Sequence, residues 1–246
     1  MPVMPVMPVM PVMPVMLTRT ELAASIDHTL LRPTATRGEV EALCAEAREH
    51  GFASVCVHPM RVPLARACLR GQVRVCTVIG FPLGADRSVI KAAAASLAVG
   101  EGADELDVVI ALGLLRDGAH AEVVADLAGV VVAAEGRLVK VILETALLGP
   151  EEIDLACRLA VEAGAGFVKT STGFGPGGAT VEAVRRMRAA VGPDIGVKAS
   201  GGIGDAAAAR AMLAAGATRL GASASLKILA GWDAAGPSNM SGSTGY

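Results

Sequence analysis

The sequence predicts an α/β fold, a single (β/α)8 TIM barrel with an extra N-terminal helix. Three observations carry this. Apolar segments recur at a regular spacing, Ala-rich stretches between them end at glycines, and the composition suits close helix–sheet packing. Hydrophobic residues make up 52% of the 246, and aromatic residues only 2%, so the core must be built from Ala, Val, Leu and Ile. Such a composition fits helices laid on buried parallel strands.

The strands read in order as Ile26–Leu30, Ser54–His58, Val73–Ile79, Glu105–Ile110, Leu138–Glu144, Phe167–Thr170, Gly196–Ala199 and Arg219–Ala222. Their centres lie about 20 to 33 residues apart, the length of a strand–helix unit. Eight such units match a closed barrel. A helix over Leu17–Ile26 precedes them. Four helices are expected to stop at Gly51, Gly102, Gly164 and Gly216, since glycine enters the left-handed conformation without a Cβ clash. Thr36, Thr180 and Asp205 each precede an apolar-periodic run and suit the N-cap. An open doubly wound sheet is the structural rival. It would normally show a glycine-rich fingerprint after its first strand, and Ile26-Asp27-His28-Thr29-Leu30-Leu31 leads instead into Arg32-Pro33-Thr34.

Both ends fall outside this pattern. Residues 1–16 repeat Met-Pro-Val, which forbids a helix and favours polyproline II, so a disordered extension is expected. No basic segment precedes the repeat, unlike a secretory signal. The Gly- and Ser-rich residues 233–246 are expected to form a flexible tail, leaving 17–232 as the barrel.

Composition narrows the function. Net charge is −2, without the basic bias of a nucleic-acid binder, and stacking aromatics are scarce. No apolar run reaches the ~18 residues a membrane helix requires. Five cysteines lack any C-x-x-C spacing, which points to reduced thiols in a cytosol. They are expected to pack as small hydrophobes, with Cys56 near a strand end where it can line a pocket.

Barrel enzymes place catalysis at the carboxyl ends of the strands. Charge interrupts apolar sequence there at Lys169 in the sixth strand, Lys198 in the seventh and Asp107 in the fourth. Each lysine alone reads equally well as a salt-bridge partner. Together they say more, because adjacent strands lie about 4.8 Å apart. Two inward ammonium groups at one depth repel, and desolvation acts in the same direction, so one amine is driven toward the neutral form. That form attacks carbonyls. Strands four and six feed the same interior layers, so Asp107 is expected to reach Lys169 directly or through one water. Nucleophile, perturbing cation and proton shuttle together suit Schiff-base chemistry.

Loops after strands seven and eight suggest a phosphate site. They read Ser200-Gly201-Gly202-Ile203-Gly204-Asp205 and Gly221-Ala222-Ser223-Ala224-Ser225. Barrels often bind phosphate there against a helix N-terminus, with Ser223 and Ser225 as further donors. The bland alternative is a pair of ordinary strand-to-helix turns. The loop from Gly173 to Gly178 is placed to close over a ligand. No metal is expected, as His28, His50, His58 and His120 show no H-x-x-x-H pattern and read as structural. No G-x-S-x-G elbow marks a serine nucleophile.

The segments Ile26–Leu31, Gly102–Val109, Phe167–Gly173, Val197–Ile203 and Gly221–Ser223 are similar to those of deoxyribose-phosphate aldolases, and the resemblance runs from about Leu17 to Trp232. It implies reversible cleavage of 2-deoxy-D-ribose 5-phosphate to acetaldehyde and D-glyceraldehyde 3-phosphate, without an external cofactor. Lys169 then matches the Schiff-base lysine, Lys198 the lysine that perturbs it, and Asp107 the proton-relay aspartate. The resemblance places Thr170 beside the nucleophile to bind substrate hydroxyl groups. Gly201, Gly202 and Ser223 match phosphate contacts, and Gly173 and Gly221 belong to the same substrate-binding motifs. Some relatives carry a second serine where Ala224 stands, and some end in a tyrosine that assists proton transfer; Tyr246 is terminal here, and the resemblance leaves its role open. Barrels of this kind often pair as homodimers. Two rivals remain open on the residues alone. One is a phosphate-binding lyase or isomerase in which Lys169 only pairs with a carboxylate. The other is an inactive barrel serving as a scaffold.

Overall fold

A computed structural model describes residues 17–234. The expected Met-Pro-Val extension and most of the expected tail, Tyr246 included, lie outside the described residues. Eight parallel strands close into one barrel in sequence order, with the last pairing the first. They are β1 (Ile26–Leu30), β2 (Ser54–Val57), β3 (Arg74–Ile79), β4 (Glu105–Val109), β5 (Leu138–Ile142), β6 (Phe167–Lys169), β7 (Gly196–Ser200) and β8 (Arg219–Ala222). The short helix α1 (Arg19–Ala23) precedes β1. Helices α2 (Arg37–His50), α3 (Val62–Leu69), α4 (Ser88–Gly100), α5 (Leu112–Arg116), α6 (His120–Ala133), α7 (Pro150–Glu162), α8 (Val181–Val191), α9 (Ala206–Ala214) and α10 (Ser225–Ala234) lie between or after the strands.

Local chemistry sets the element ends. Thr36 caps α2 in a reciprocal pair with Glu39, and Thr180 and Asp205 cap α8 and α9 through their side-chain oxygens. Gly51 ends α2 at φ +67°. Four strands stop earlier than the sequence suggests, β4 by a single residue, at Val109. β2 ends before His58 because a 3-10 turn begins at Pro59, which has no N–H to give. β5 ends before Glu144, whose backbone turns left-handed at φ +55°. β6 ends before Thr170, whose hydroxyl accepts from the Ser200 N–H at 3.0 Å and donates to the Ser200 carbonyl at 3.1 Å.

Apolar packing fills the space between strands and helices. Val55, Val75, Leu106, Val108, Val141, Val168, Val197 and Leu220 present this outer face of the sheet, against helix residues such as Val40, Leu69, Leu127 and Met187. Among the described residues no helix is long and apolar enough to cross a membrane. One ion pair sits inside this layer. Lys91 of α4, fully buried, donates to Asp126 of α6 at 2.7 Å and to the Val109 carbonyl at 3.0 Å.

Removing one partner of such a pair strands the other charge in a dry site. Asp126→Ala is expected to lower unfolding free energy by about 3 kcal/mol or more in urea titrations. The double change Lys91→Met with Asp126→Leu should cost far less, because it leaves no buried charge.

Candidate active site

Inside the barrel every strand contributes a titratable side chain. β1 brings Asp27, β2 Cys56, β3 Cys76, β4 both Glu105 and Asp107, β5 Lys140, β6 Lys169, β7 Lys198 and β8 Arg219. All are buried. Asp107 is the hub. Its Oδ2 accepts from Lys169 Nζ at 2.9 Å and from Lys198 Nζ at 2.7 Å, and its Oδ1 accepts from Lys140 Nζ at 2.8 Å. Asp27 pairs with Lys198 at 2.5 Å and with Arg219 at 2.6 Å, and Ser54 donates to it at 2.8 Å. Glu105 takes Lys140 at 2.7 Å and Arg219 at 3.2 Å, with Arg74 approaching from the rim at 3.7 Å.

The register explains this convergence. Lys169 and Lys198 are direct partners across β6 and β7, and Asp107 and Lys140 are partners across β4 and β5. The two lysines therefore sit at one depth, as expected from the sequence, and Asp107 bonds Lys169 without an intervening water.

Electrostatics follow from these distances. Burial opposes charge on Asp107, but Lys140, Lys169 and Lys198 outweigh it and hold the carboxyl well below its usual range. Burial likewise opposes the Lys198 ammonium, yet Asp107 and Asp27 lift it well above the ordinary lysine value. Lys140 is raised the same way, against burial, by Asp107 above all. Burial pushes the Cys76 thiol up, so it remains an S–H and donates to Asp107 Oδ1 at 3.2 Å. Two buried triads, Cys56–Cys76–Asp107 and Asp27–Cys76–Glu105, are spaced like metal ligands, but the cation against Asp27, Cys76, Glu105 and Asp107 is the Lys140 ammonium.

Above this network a cavity of about 430 Å³ opens at the carboxyl ends of the strands. Lys169 forms its floor, and Gly173, Gly201, Gly202, Gly221 and Ser223 form part of its wall. Those candidates meet as expected, with Asp107 and Lys198 beneath. Thr170 does not join them. It is fully buried and does not line the cavity, and its hydroxyl ties β6 to β7 through both backbone groups of Ser200. Ser225 is also diverted, since its hydroxyl donates to the Ala222 carbonyl and pairs with His28 Nδ1 at 2.9 Å. His28 is further held by Glu46 at 2.7 Å. Cys56 lies fully buried within β2 and does not reach the cavity.

Sequence reasoning did not single out Lys140, Asp27, Glu105 or Arg219. Lys140 interrupts Leu138-Val139-Lys140-Val141-Ile142 just as Lys169 interrupts its own strand, so the same signal points to it. It lies at the same depth as Asp107, its register partner across β4 and β5. Thr29, Arg32 and Thr172 also line the cavity unannounced, and Phe174 joins them from the loop expected to close over a ligand.

Two close approaches shape the wall. A Cβ on Gly221 would lie 2.2 Å from Ser200 Oγ and 3.0 Å from Lys198 Cε, so glycine makes room for both. A Cβ on Gly178 would lie 2.4 Å from the Gly201 carbonyl oxygen. The loop after β6 is fastened by Glu144, whose Oε2 accepts from the Thr172 N–H at 3.2 Å and from its hydroxyl. Phe174 meets Phe81 edge-on across the mouth at 5.3 Å.

The match to known proteins is extensive. A family model described as DeoC/LacD family aldolase covers residues 22–233. This chain belongs to the DeoC/LacD aldolase family. It is therefore an aldolase, a carbon–carbon lyase. Within the family, Deoxyribose-phosphate aldolase 1 of Bacillus licheniformis is 56% identical over 213 residues, covering 86% of this chain and 96% of that one. A deoxyribose-phosphate aldolase of Carboxydothermus hydrogenoformans is 54% identical over 221 residues, covering 88% and 97%. The tetrameric deoxyribose phosphate aldolase structure from Aeropyrum pernix superposes with a TM-score of 0.83 at 36% identity, covering 88% and 92%.

The network gives this aldolase a defined acid limit. Asp27 and Asp107 are held below their unfolded value, near 3.9, so their contribution is complete above about pH 5 and lost as pH falls through the folded values. Urea midpoints are expected to fall steadily below about pH 4. Asp27→Asn should weaken that acid dependence.

Proposed function

We propose that this chain reversibly cleaves 2-deoxy-D-ribose 5-phosphate to acetaldehyde and D-glyceraldehyde 3-phosphate through a Schiff base on Lys169. One observation carries the assignment. Among the described residues, Lys169 is the lysine that both lines the cavity and bonds the buried Asp107. The names of relatives more than 50% identical support the substrate.

The charge count favours the chemistry. Asp27, Glu105 and Asp107 face the buried cations Lys140, Lys169, Lys198 and Arg219. Three carboxylates balance three cations, so the interior is neutral when one of the four gives up its proton. Lys169 is the member with an opening to the cavity, and a neutral amine is what attacks a carbonyl.

In the proposed sequence, Lys169 Nζ bonds to C1 of the open-chain sugar, and the carbonyl oxygen leaves as water. The iminium then accepts the electron pair of the breaking C2–C3 bond, while the C3 hydroxyl loses its proton and becomes the aldehyde of glyceraldehyde phosphate. Asp107 Oδ2, shared by both amines, relays protons through a water. The remaining enamine gains a proton at C2, and hydrolysis releases acetaldehyde and restores Lys169. The sugar phosphate would lie on Gly201, Gly202 and Ser223 toward the start of α10. There Ala224 accepts the first helical bond from Ile228 but has no side-chain oxygen to cap the helix, leaving its positive end for an anion. Five free thiols suit a reducing compartment, and we place the enzyme in the cytosol.

Borohydride with acetaldehyde is expected to leave a reduced two-carbon adduct on Lys169, mapped by peptide mass spectrometry, with loss of activity. An adduct elsewhere, or none, would contradict the assignment. Lys169→Ala should abolish cleavage. Gly178→Ala presses on the Gly201 carbonyl, so it should raise KM for the phosphorylated sugar about tenfold or more. The reaction of unphosphorylated deoxyribose should change much less.

A further inference from the structure

We propose that Lys140 is a positioning residue that assigns the two oxygens of Asp107. By holding Oδ1, it leaves Oδ2 as the acceptor shared by Lys169 and Lys198. This rests on the Schiff-base reading above and deepens it.

The geometry is specific. Lys140 is fully buried, and its ammonium is enclosed by Asp107 Oδ1 at 2.8 Å, Glu105 Oε2 at 2.7 Å, Cys76 Sγ at 3.3 Å and Asp27 Oδ2 at 3.7 Å. It does not line the cavity, so it has no path to touch substrate. Its influence must pass through Asp107. A carboxylate with two free oxygens would offer one to each of Lys169 and Lys198, and each ion pair would stabilise its own ammonium. With Oδ1 taken, the two amines converge on Oδ2 at 2.9 and 2.7 Å and compete for it. Lys198 keeps a second carboxylate, Asp27, at 2.5 Å, while among the described residues Lys169 has no other acid partner within bridge distance. The competition therefore falls on Lys169.

Every strand faces this point, so the full charge set is defined. Asp27, Glu105 and Asp107 are the acids, Cys56 and Cys76 the thiols, and Lys140, Lys169, Lys198 and Arg219 the cations. Removing Lys140 deletes a positive charge two hydrogen bonds from the Lys169 amine. Coulomb interaction then favours the protonated amine at any given pH. Removing Glu105, which faces Lys140 from the other side, acts with the opposite sign.

The test follows the pH at which trapping of the acetaldehyde imine by cyanoborohydride on Lys169 reaches half its maximal rate. In Lys140→Met that midpoint is expected to move up by about one to two pH units. Lys140→Arg should restore most of the shift, and Glu105→Gln should move the midpoint down. A purely structural lysine would lower the maximal rate or the folded fraction and leave the midpoint in place, which would overturn the proposal. If Lys140→Met does not fold, the Glu105→Gln arm decides alone, and an unmoved or raised midpoint there overturns it. Trapping on Lys169 in the unmodified enzyme is read separately. Its absence would defeat the Schiff-base reading, whereas trapping with an unmoved midpoint would defeat only the role of Lys140.

Discussion

One carboxylate organises the interior of this barrel. Asp107 accepts from three ammonium groups on three different strands, and every other buried charge in the barrel is arranged around those bonds. TIM-barrel interiors are dominated by packed Val, Ile and Leu. Here the apolar contribution at this level is a small cluster of Leu31, Cys56, Cys76 and Val78. Buried ion pairs seldom out-stabilise well-packed hydrophobic residues, because desolvation offsets much of the attraction. A network of this size is therefore poorly explained by stability. What it does achieve is to hold Lys169 beside a carboxylate, a second ammonium group and an open cavity at once.

The cavity wall shows the same preference for geometry over comfort. Glu144 is a non-glycine residue at φ +55°, a conformation that costs free energy, and it stands where its carboxylate fastens the loop over the site. Gly221 gives up a side chain so that Ser200 and Lys198 can lean across β8. Gly178 gives up one so that the loops after β6 and β7 can touch. Each concession lies in or beside the cavity wall, while the outer apolar layer packs regularly.

Much of this was legible in the residues. The strand count, the helix caps at Thr36, Thr180 and Asp205, and the meeting of Lys169, Lys198 and Asp107 follow from periodicity and from charge inside apolar strands. Strand ends were less legible, because they depend on tertiary contacts such as the Thr170 hydroxyl against Ser200. Thr170 and Ser225 look like free hydroxyl donors in sequence, and only the fold reveals that neighbours have already claimed them. Lys140 escaped for a different reason. Its charge is visible, but its partners come from strands β1, β3 and β4, and no spacing along the chain announces that convergence.

The distribution of interior groups around the barrel has an architectural consequence. The first four strands supply Asp27, Cys56, Cys76, Glu105 and Asp107, and the last four supply Lys140, Lys169, Lys198 and Arg219. Cut between β4 and β5, the molecule would yield one half whose inner face is acidic and another whose inner face is basic. Neither half can neutralise itself, and neither can close on a copy of itself without self-repulsion. The two are complementary as magnets are, so barrel closure is directed by polarity as well as by hydrogen bonding along the strand edges.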